Sequence, residues 1–144
     1  MPPPSAHPCL DLALLPGNYF VLKLNPDEPI PDYAQRAMIS QPAKGMFSLT
    51  RTEEETSIVG EAVDGMPDEV GNLATWRCLK IKGPMEFNLV GVLASFTEPL
   101  MKAEIGVFAI STWNTDFILV PKEKAELAVK ALKKDGWKFP AESD

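Results

Sequence analysis

Residues able to carry out acid–base or nucleophilic chemistry are sparse in this chain. Its 144 residues include one histidine, His7, and two cysteines, Cys9 and Cys78. A Ser–His or Cys–His device needs a histidine beside its nucleophile, and His7 lies in the run Pro2-Pro3-Pro4-Ser5-Ala6-His7-Pro8. The cysteines form no CxxC pair, and a structural zinc needs about four ligands, so no Cys/His metal centre is expected. Gly60, Gly65 and Gly71 lack the pattern of a phosphate loop. Glu61 and Asp64 could in principle act as general acid and base, but nothing around them fixes their positions, and Glu53-Glu54-Glu55 reads as an exposed turn. The chain is better equipped to hold a small charged molecule. Val90-Gly91-Val92 opens a helix after the capping residue Asn88, and helix-start N–H groups receive a carboxylate. Gly91 lets a ligand approach the backbone. Asp116, across the turn from Ser111 and Thr112, supplies a negative charge for an ammonium or a basic side chain. A plainer reading competes: Ser111, Thr112 and Asp116 satisfy a hairpin by local hydrogen bonds. The two readings are balanced for Asp116, and the local one is favoured for Ser111 and Thr112.

The elements that must position these residues form two series. Asn18 to Leu24 is rich in β-formers and ends at the turn signal Asn25-Pro26. Pro31-Asp32 starts a short helical stretch to Met38. Met46 to Arg51 and Thr56 to Val63 read as an antiparallel hairpin closed by Asp64-Gly65. Met66 to Thr75 is loop-like, with at most a turn of helix from Pro67 to Val70. The second series starts with the alternating strand Trp76 to Lys82, stopped by Gly83-Pro84. Leu89, Leu93, Phe96 and Leu100 then form one apolar helical stripe, which Pro99 should kink or end. Ile105 to Ser111 is nearly continuous apolar, as in a strand buried on both faces. Asp116 to Val120 is its partner. Pro121 suits a first helical turn, Leu127, Ala128, Ala131 and Leu132 form that helix's inner face, Gly136 is its C-cap, and Trp137-Lys138-Phe139 is a final strand.

The second series thus reads strand, helix, strand, strand, helix, strand, and the first repeats it with a reduced second helix. The repeat, of about 65 residues, is one of pattern only. Such βαββαβ units place helices on one face of an antiparallel sheet. The expected fold class is therefore α+β, with two ferredoxin-like units in tandem. Residues 1–16 form a Pro-rich tail, 17–75 the first, reduced unit, and 76–140 the second. Leu89, Leu93, Phe96, Val107, Phe108, Ile118, Leu119, Leu127 and Leu132 are expected to be mostly buried.

Charge and hydropathy exclude some partners. The formal charge is −6, from 14 basic and 20 acidic residues. The lysines from Lys122 to Lys134 read as one solvated helix face rather than as the clustered basic surface that phosphate binding needs, so no nucleic acid is expected. No apolar run approaches the roughly 20 residues that cross a bilayer. The N-terminus lacks the basic and apolar regions of a signal peptide. A cytoplasmic location with reduced thiols follows as an expectation.

The segment IGVFAISTWNTDFILV, Ile105 to Val120, resembles the signature of the ACT domain family, specifically its CASTOR-type branch. That branch holds the cytosolic arginine sensors of animals and many small bacterial and fungal proteins, and it is similar to the regulatory tail of aspartate kinases. FSLTRTEEETSIV (Phe47 to Val59), WRCLKIKGPMEFNLVGVLASFTEPL (Trp76 to Leu100) and GNYFVLKLNPDEPIP (Gly17 to Pro31) resemble the family's first hairpin, its strand, glycine loop and helix, and its opening strand. Each motif is short, and their order is what makes the set specific. The resemblance spans nearly all of the chain except the Pro-rich tail and the last residues.

The resemblance implies a non-enzymatic regulatory or sensor protein that binds a small molecule, an amino acid, without a cofactor or metal. It implies an effector site lined by the glycine loop, Asn88, Leu89, Val90 and Gly91, and by the hairpin residues Ser111, Thr112 and Asp116. It also suggests that Ser57 and Ile58 of the first unit can face that site, although a polar strand edge is the plainer reading for Ser57. A homodimer is expected, because an apolar strand from Ile105 to Ile110 needs cover on both faces, and a regulated protein is a further partner. The alternative is a protein–protein interaction or dimerisation module with no small ligand.

Overall fold

The N-terminal segment does not remain a tail. In the computed structural model, which describes residues 8–40, 45–84 and 91–140, Pro8–Leu10 form a 3-10 turn and Leu12–Leu14 a strand, β1. Leu10 and Leu12 are buried. Two leucines spaced to enter a core outweigh the proline-rich composition around them. The chain divides into two compact units: Pro16–Trp76, and a second that joins Met1–Leu15 to Arg77–Asp144. The expected tail is therefore, from Pro8 onward, an ordered part of the second unit.

The first unit runs β2 (Tyr19–Leu24), α1 (Asp32–Ile39), β3 (Phe47–Arg51), β4 (Thr56–Glu61) and α2 (Asp68–Asn72). β4 lies between β2 and β3 and is antiparallel to both. Phe20 and Phe47 stand opposite Gly60, and Leu22 and Leu49 opposite Ile58. Directly paired residues share a face, so these side chains form one apolar surface. Ala34 of α1, Val70 of α2 and Ala74 complete its core. Gly60 is required there: a Cβ would sit 2.8 Å from Phe47 Cδ1 and 3.4 Å from the Phe20 ring. The two rings occupy the volume that a side chain would need. At the far end, Thr52 Oγ1 accepts from the Glu54 and Glu55 N–H groups at 3.1 and 3.2 Å, which closes the acidic turn as the sequence predicts. The reduced second helix is also present, five residues long.

The second unit runs, after β1, through β5 (Trp76–Ile81), α3 (Val92–Lys102), β6 (Phe108–Ser111), β7 (Asp116–Pro121), a 3-10 turn at Lys122–Lys124, and α4 (Ala125–Lys134). β5 is flanked by β1 and β7, and β6 lies outside β7 at the edge. The β1–β5 and β6–β7 ladders are antiparallel. Phe96 and Leu100 of α3, Ala128 and Leu132 of α4, and Leu79, Ile81, Ile118 and Val120 of the strands share one core. Trp137 joins them, its ring centroid 5.5 Å from that of Phe96.

Several expectations need correction. Trp137 to Phe139 is not a strand. Trp137 caps the core, and the Lys138 carbonyl accepts a hydrogen bond from Leu12 N at 2.8 Å. The strand beside β5 is β1, so the fourth strand position of the βαββαβ unit is filled from the N-terminal segment. β6 begins at Phe108 and is not buried on both faces. Its pattern alternates half-buried and exposed, and Val107 is 40% exposed. An edge strand has cover on one face only, which apolar composition cannot reveal. Leu93 and Leu127 are exposed because the buried stripes run through Val92, Phe96, Pro99 and Leu100, and through Ala125, Ala128 and Leu132. Pro99 does not end α3, which continues to Lys102. One turn from the helix end, its missing N–H breaks a single bond. Leu89 lies outside the described residues. The C-cap of α4 is Asp135, and Gly136 follows it in the left-handed region, with φ of 101° and a Trp137 N to Leu132 O bond of 3.0 Å that ends the helix.

Candidate functional site

The hairpin between β6 and β7 carries three of the candidate residues. Ser111 and Asp116 form its last rung, so their side chains project from the same face. The Ser111 hydroxyl donates to Asp116 Oδ1 at 2.6 Å. Ser111 is exposed, whereas Asp116 is only 7% exposed. The turn that joins them is held by Thr112 N donating to the Thr115 carbonyl at 2.8 Å and by Thr115 N donating to Thr112 Oγ1 at 3.4 Å. Trp113, at the tip, is 79% exposed.

Thr115 and Gly83 are the residues that sequence reasoning missed here. Thr115 is buried, and its hydroxyl donates to the Ile81 carbonyl at 2.6 Å, tying the turn to the end of β5. Gly83, with φ of +68°, passes beneath that turn. A Cβ there would lie 3.0 Å from the Asn114 carbonyl oxygen and 3.2 Å from Thr115 Cβ. The Gly83-Pro84 pair signalled a strand stop. Its second role, clearance for the hairpin, depends on a tertiary approach that local sequence does not encode. Lys80 Nζ stands 5.9 Å from the Phe117 ring centroid, a weak cation–π contact beside the same hairpin.

Gly91 is the N-cap of α3, with φ of 82° in the left-handed region. Its carbonyl accepts from Ser95 N at 3.0 Å, and nothing lies within 4 Å of the position a Cβ would take. Among the described residues, the space beside Gly91 is therefore open. Asn88, Leu89 and Val90 lie outside the described residues. Ser57 and Ile58 belong to the first unit. Ser57 is half-buried opposite Lys23 and Thr50. Ile58 is fully buried in the first unit's core, so its side chain holds that sheet to its helices and is closed to a ligand.

Among the described residues, no group of His, Cys, Asp and Glu could hold a metal ion. Cys78 is fully buried in β5, and burial pushes its thiol up to about 12 against the lowering influence of Lys80. Such a thiol is a small apolar core residue and not a nucleophile. Among the described residues, no helix is long and apolar enough to cross a membrane.

Comparison with known proteins places these features. The model of the ACT domain family matches residues 73–134, which include β5, Gly91, α3, the β6–β7 hairpin and α4. The human cytosolic arginine sensor for mTORC1 subunit 1 is 35% identical over 60 residues, which are 41% of this chain and 18% of that protein. The matched region thus spans less than a fifth of the curated relative. A crystal structure of an Agrobacterium tumefaciens protein is 31% identical, covers 93% of this chain and 94% of its own, and superposes with a TM-score of 0.74. The alpha and beta subunits of aspartokinase share the fold alone: 16% identity, TM-score 0.59, 87% of this chain and 96% of that one. Antiparallel ladders and helices packed into the sheet core agree with the family match, and residues 73–134 are similar to an ACT domain.

Proposed function

We propose that this protein is a stand-alone, non-enzymatic regulatory module of two ACT-type units in tandem that binds a small molecule, an amino acid, and passes its occupancy to a regulated protein. The observation that carries this reading is the family match, which falls on the segment holding both the helix start at Gly91 and the Ser111–Asp116 rung. The curated relatives that match 60 residues of this chain are arginine sensors by name. In the proposed mode, the first N–H groups of α3 receive the ligand carboxylate, and Asp116, oriented by Ser111, receives its ammonium or a basic side chain. Asn88, Leu89 and Val90 would line the approach. A cytoplasmic location agrees with this role.

A homodimer belongs to the same proposal, now on a different basis. β6 is an edge strand, and Val107 beside it is 40% exposed. An unpaired strand edge with apolar neighbours favours association with a second copy. The same observation also favours the second reading, an interaction module with no small ligand.

A thermal-shift screen of the full chain against the proteinogenic amino acids, paired with light scattering, separates the two. A ligand at 100 times its dissociation constant stabilises by about 2.7 kcal/mol. One amino acid should raise the melting temperature, and Gly91→Val should abolish that rise, because a β-branched residue is strained at positive φ and blocks the backbone. A dimer that no amino acid stabilises would favour the interaction module.

A further inference from the structure

The first unit contains a groove of about 720 Å³, a size typical of small-molecule sites. Tyr33 and Ala37 of α1, Met46 and Phe47 at the start of β3, and Met66 line it. Three charged residues also line it: Arg36, Glu61 and Asp64. Arg36 is already engaged by Asp32, its i−4 neighbour on α1. Glu61 is held differently. It ends β4 opposite Tyr19, and its carboxylate lies between two glycines. A Cβ on Gly17 would collide with Oε2, and one on Gly45 would stand 3.0 Å from Oε1. Gly17 has φ of +87°, a conformation that itself favours glycine. The Tyr19 hydroxyl, which accepts from Met46 N at 3.2 Å, fills the rest of the space beside Gly45.

The glycines thus leave a slot that admits the Glu61 carboxylate, which lines the groove. Among the described residues, no cation is paired with Glu61 or with Asp64. Negative charge also reaches the α1 wall, where burial and the nearby Glu69 carboxylate both raise the Tyr33 phenol. Among the described residues, the groove combines an aromatic and thioether interior with two carboxylates, Glu61 and Asp64, against one guanidinium, which Asp32 already engages. That combination fits one chemistry: an apolar body against Phe47, Met46 and Met66, and a positive head on Glu61. We infer that the first unit binds a small amphipathic organic cation, a primary ammonium on a short apolar chain or ring, with Glu61 as its counter-ion.

The test uses the full chain titrated with n-hexylammonium, n-hexanoate and n-hexanol, followed by amide and methyl chemical shifts. Hexylammonium should perturb Met46, Phe47, Ala37 and Met66, and hexanoate should bind at least tenfold more weakly. Glu61→Gln should weaken hexylammonium tenfold or more and leave hexanol unchanged. Ala37→Phe, which fills the groove from α1, should weaken all three ligands. Asp116→Ala, in the second unit, should leave hexylammonium unaffected, which keeps this site separate from the amino-acid site proposed above. Equal binding of hexanoate and hexylammonium by the parent chain would overturn the inference, as would shifts confined to residues outside the groove. A Glu61→Gln protein that melts normally and binds hexylammonium as tightly as the parent would overturn it too.

Discussion

Ser111 and Asp116 face each other across the last rung of the β6–β7 hairpin, with the Ser111 hydroxyl donating to Asp116 Oδ1 at 2.6 Å. A hydrogen bond to a charged acceptor contributes about 1.5–3 kcal/mol, and Asp116 is buried enough for the bond to matter. Asp116→Ala should therefore destabilise the ligand-free protein by about that amount, while Asp116→Asn keeps an acceptor and loses less. A double-mutant cycle with Ser111→Ala in urea unfolding isolates the pair. Coupling near zero would mean that the rung is held by its backbone ladder alone, and Asp116 would then be left to ligand binding.

Thr115 offers a sharper measurement, because its hydroxyl is buried and its partner is a backbone carbonyl. Thr115→Val keeps the shape and removes the donor, leaving the Ile81 oxygen without its 2.6 Å bond. An unsatisfied buried polar group costs about 1–3 kcal/mol, so denaturant midpoints should fall accordingly. Thr115→Ser should recover most of the loss. If the valine variant is as stable as the parent, the turn is not anchored through this bond.

How much of this was legible beforehand follows from what each signal depends on. The hairpins were readable because Thr52 with the acidic turn, and Ser111-Thr112 with Thr115-Asp116, are local devices whose partners lie within five residues. Helix existence was readable from spacing, and Phe96, Leu100, Ala128 and Leu132 are buried as read, but the stripe edges were not: Leu93 and Leu127 are out while Val92 and Ala125 are in. Apolar stripes wider than the true contact leave that choice to packing. Thr115 and Gly83 were hidden because their roles exist only once β5 and the hairpin meet. β1 was hidden for a similar reason: three residues beside a proline run carry no periodicity, and their partner, β5, lies more than sixty residues away.

Cys78 gives the second unit a pH dependence in alkali. Its thiol is pushed up to about 12 in the folded chain, chiefly by burial, from an ordinary 9.0. Below pH 9 both folded and unfolded states hold the proton, and stability is unaffected. Between pH 9 and about 12 only the unfolded state releases it, so stability falls as pH rises. Cys78→Ala should be less stable at neutral pH, from the cavity it leaves, yet lose less between pH 9 and 11 than the parent. A parallel fall in the two proteins would show that other groups carry the alkaline loss. In the native parent at pH 8, a thiol reagent should modify Cys78 only on unfolding.

The strand β1 makes the strongest demand on the N-terminal segment. Leu10 and Leu12 are each 2% exposed in the second unit's core, whereas Leu14 is half-buried. Truncating a buried leucine to alanine costs about 2–5 kcal/mol, and less where the side chain is only partly covered. Leu10→Ala and Leu12→Ala should thus be severe, with Leu14→Ala milder. A disordered tail would instead make all three neutral, within about 0.5 kcal/mol, as for surface positions generally. Hydrogen exchange supplies a readout that needs no substitution. Leu12 N donates to the Lys138 carbonyl, Leu15 N to the Cys78 carbonyl, Lys82 N to the Asp11 carbonyl and Gly83 N to the Cys9 carbonyl, all at 2.8–2.9 Å. These four amides should exchange together and slowly, because opening β1 breaks every bond at once. Fast exchange at Leu12 and Leu15 with slow exchange in β7 would show β1 fraying from a core that does not need it. Slow exchange at all four, lost together in Leu12→Ala, would establish that residues before the first repeat complete the fold of the second.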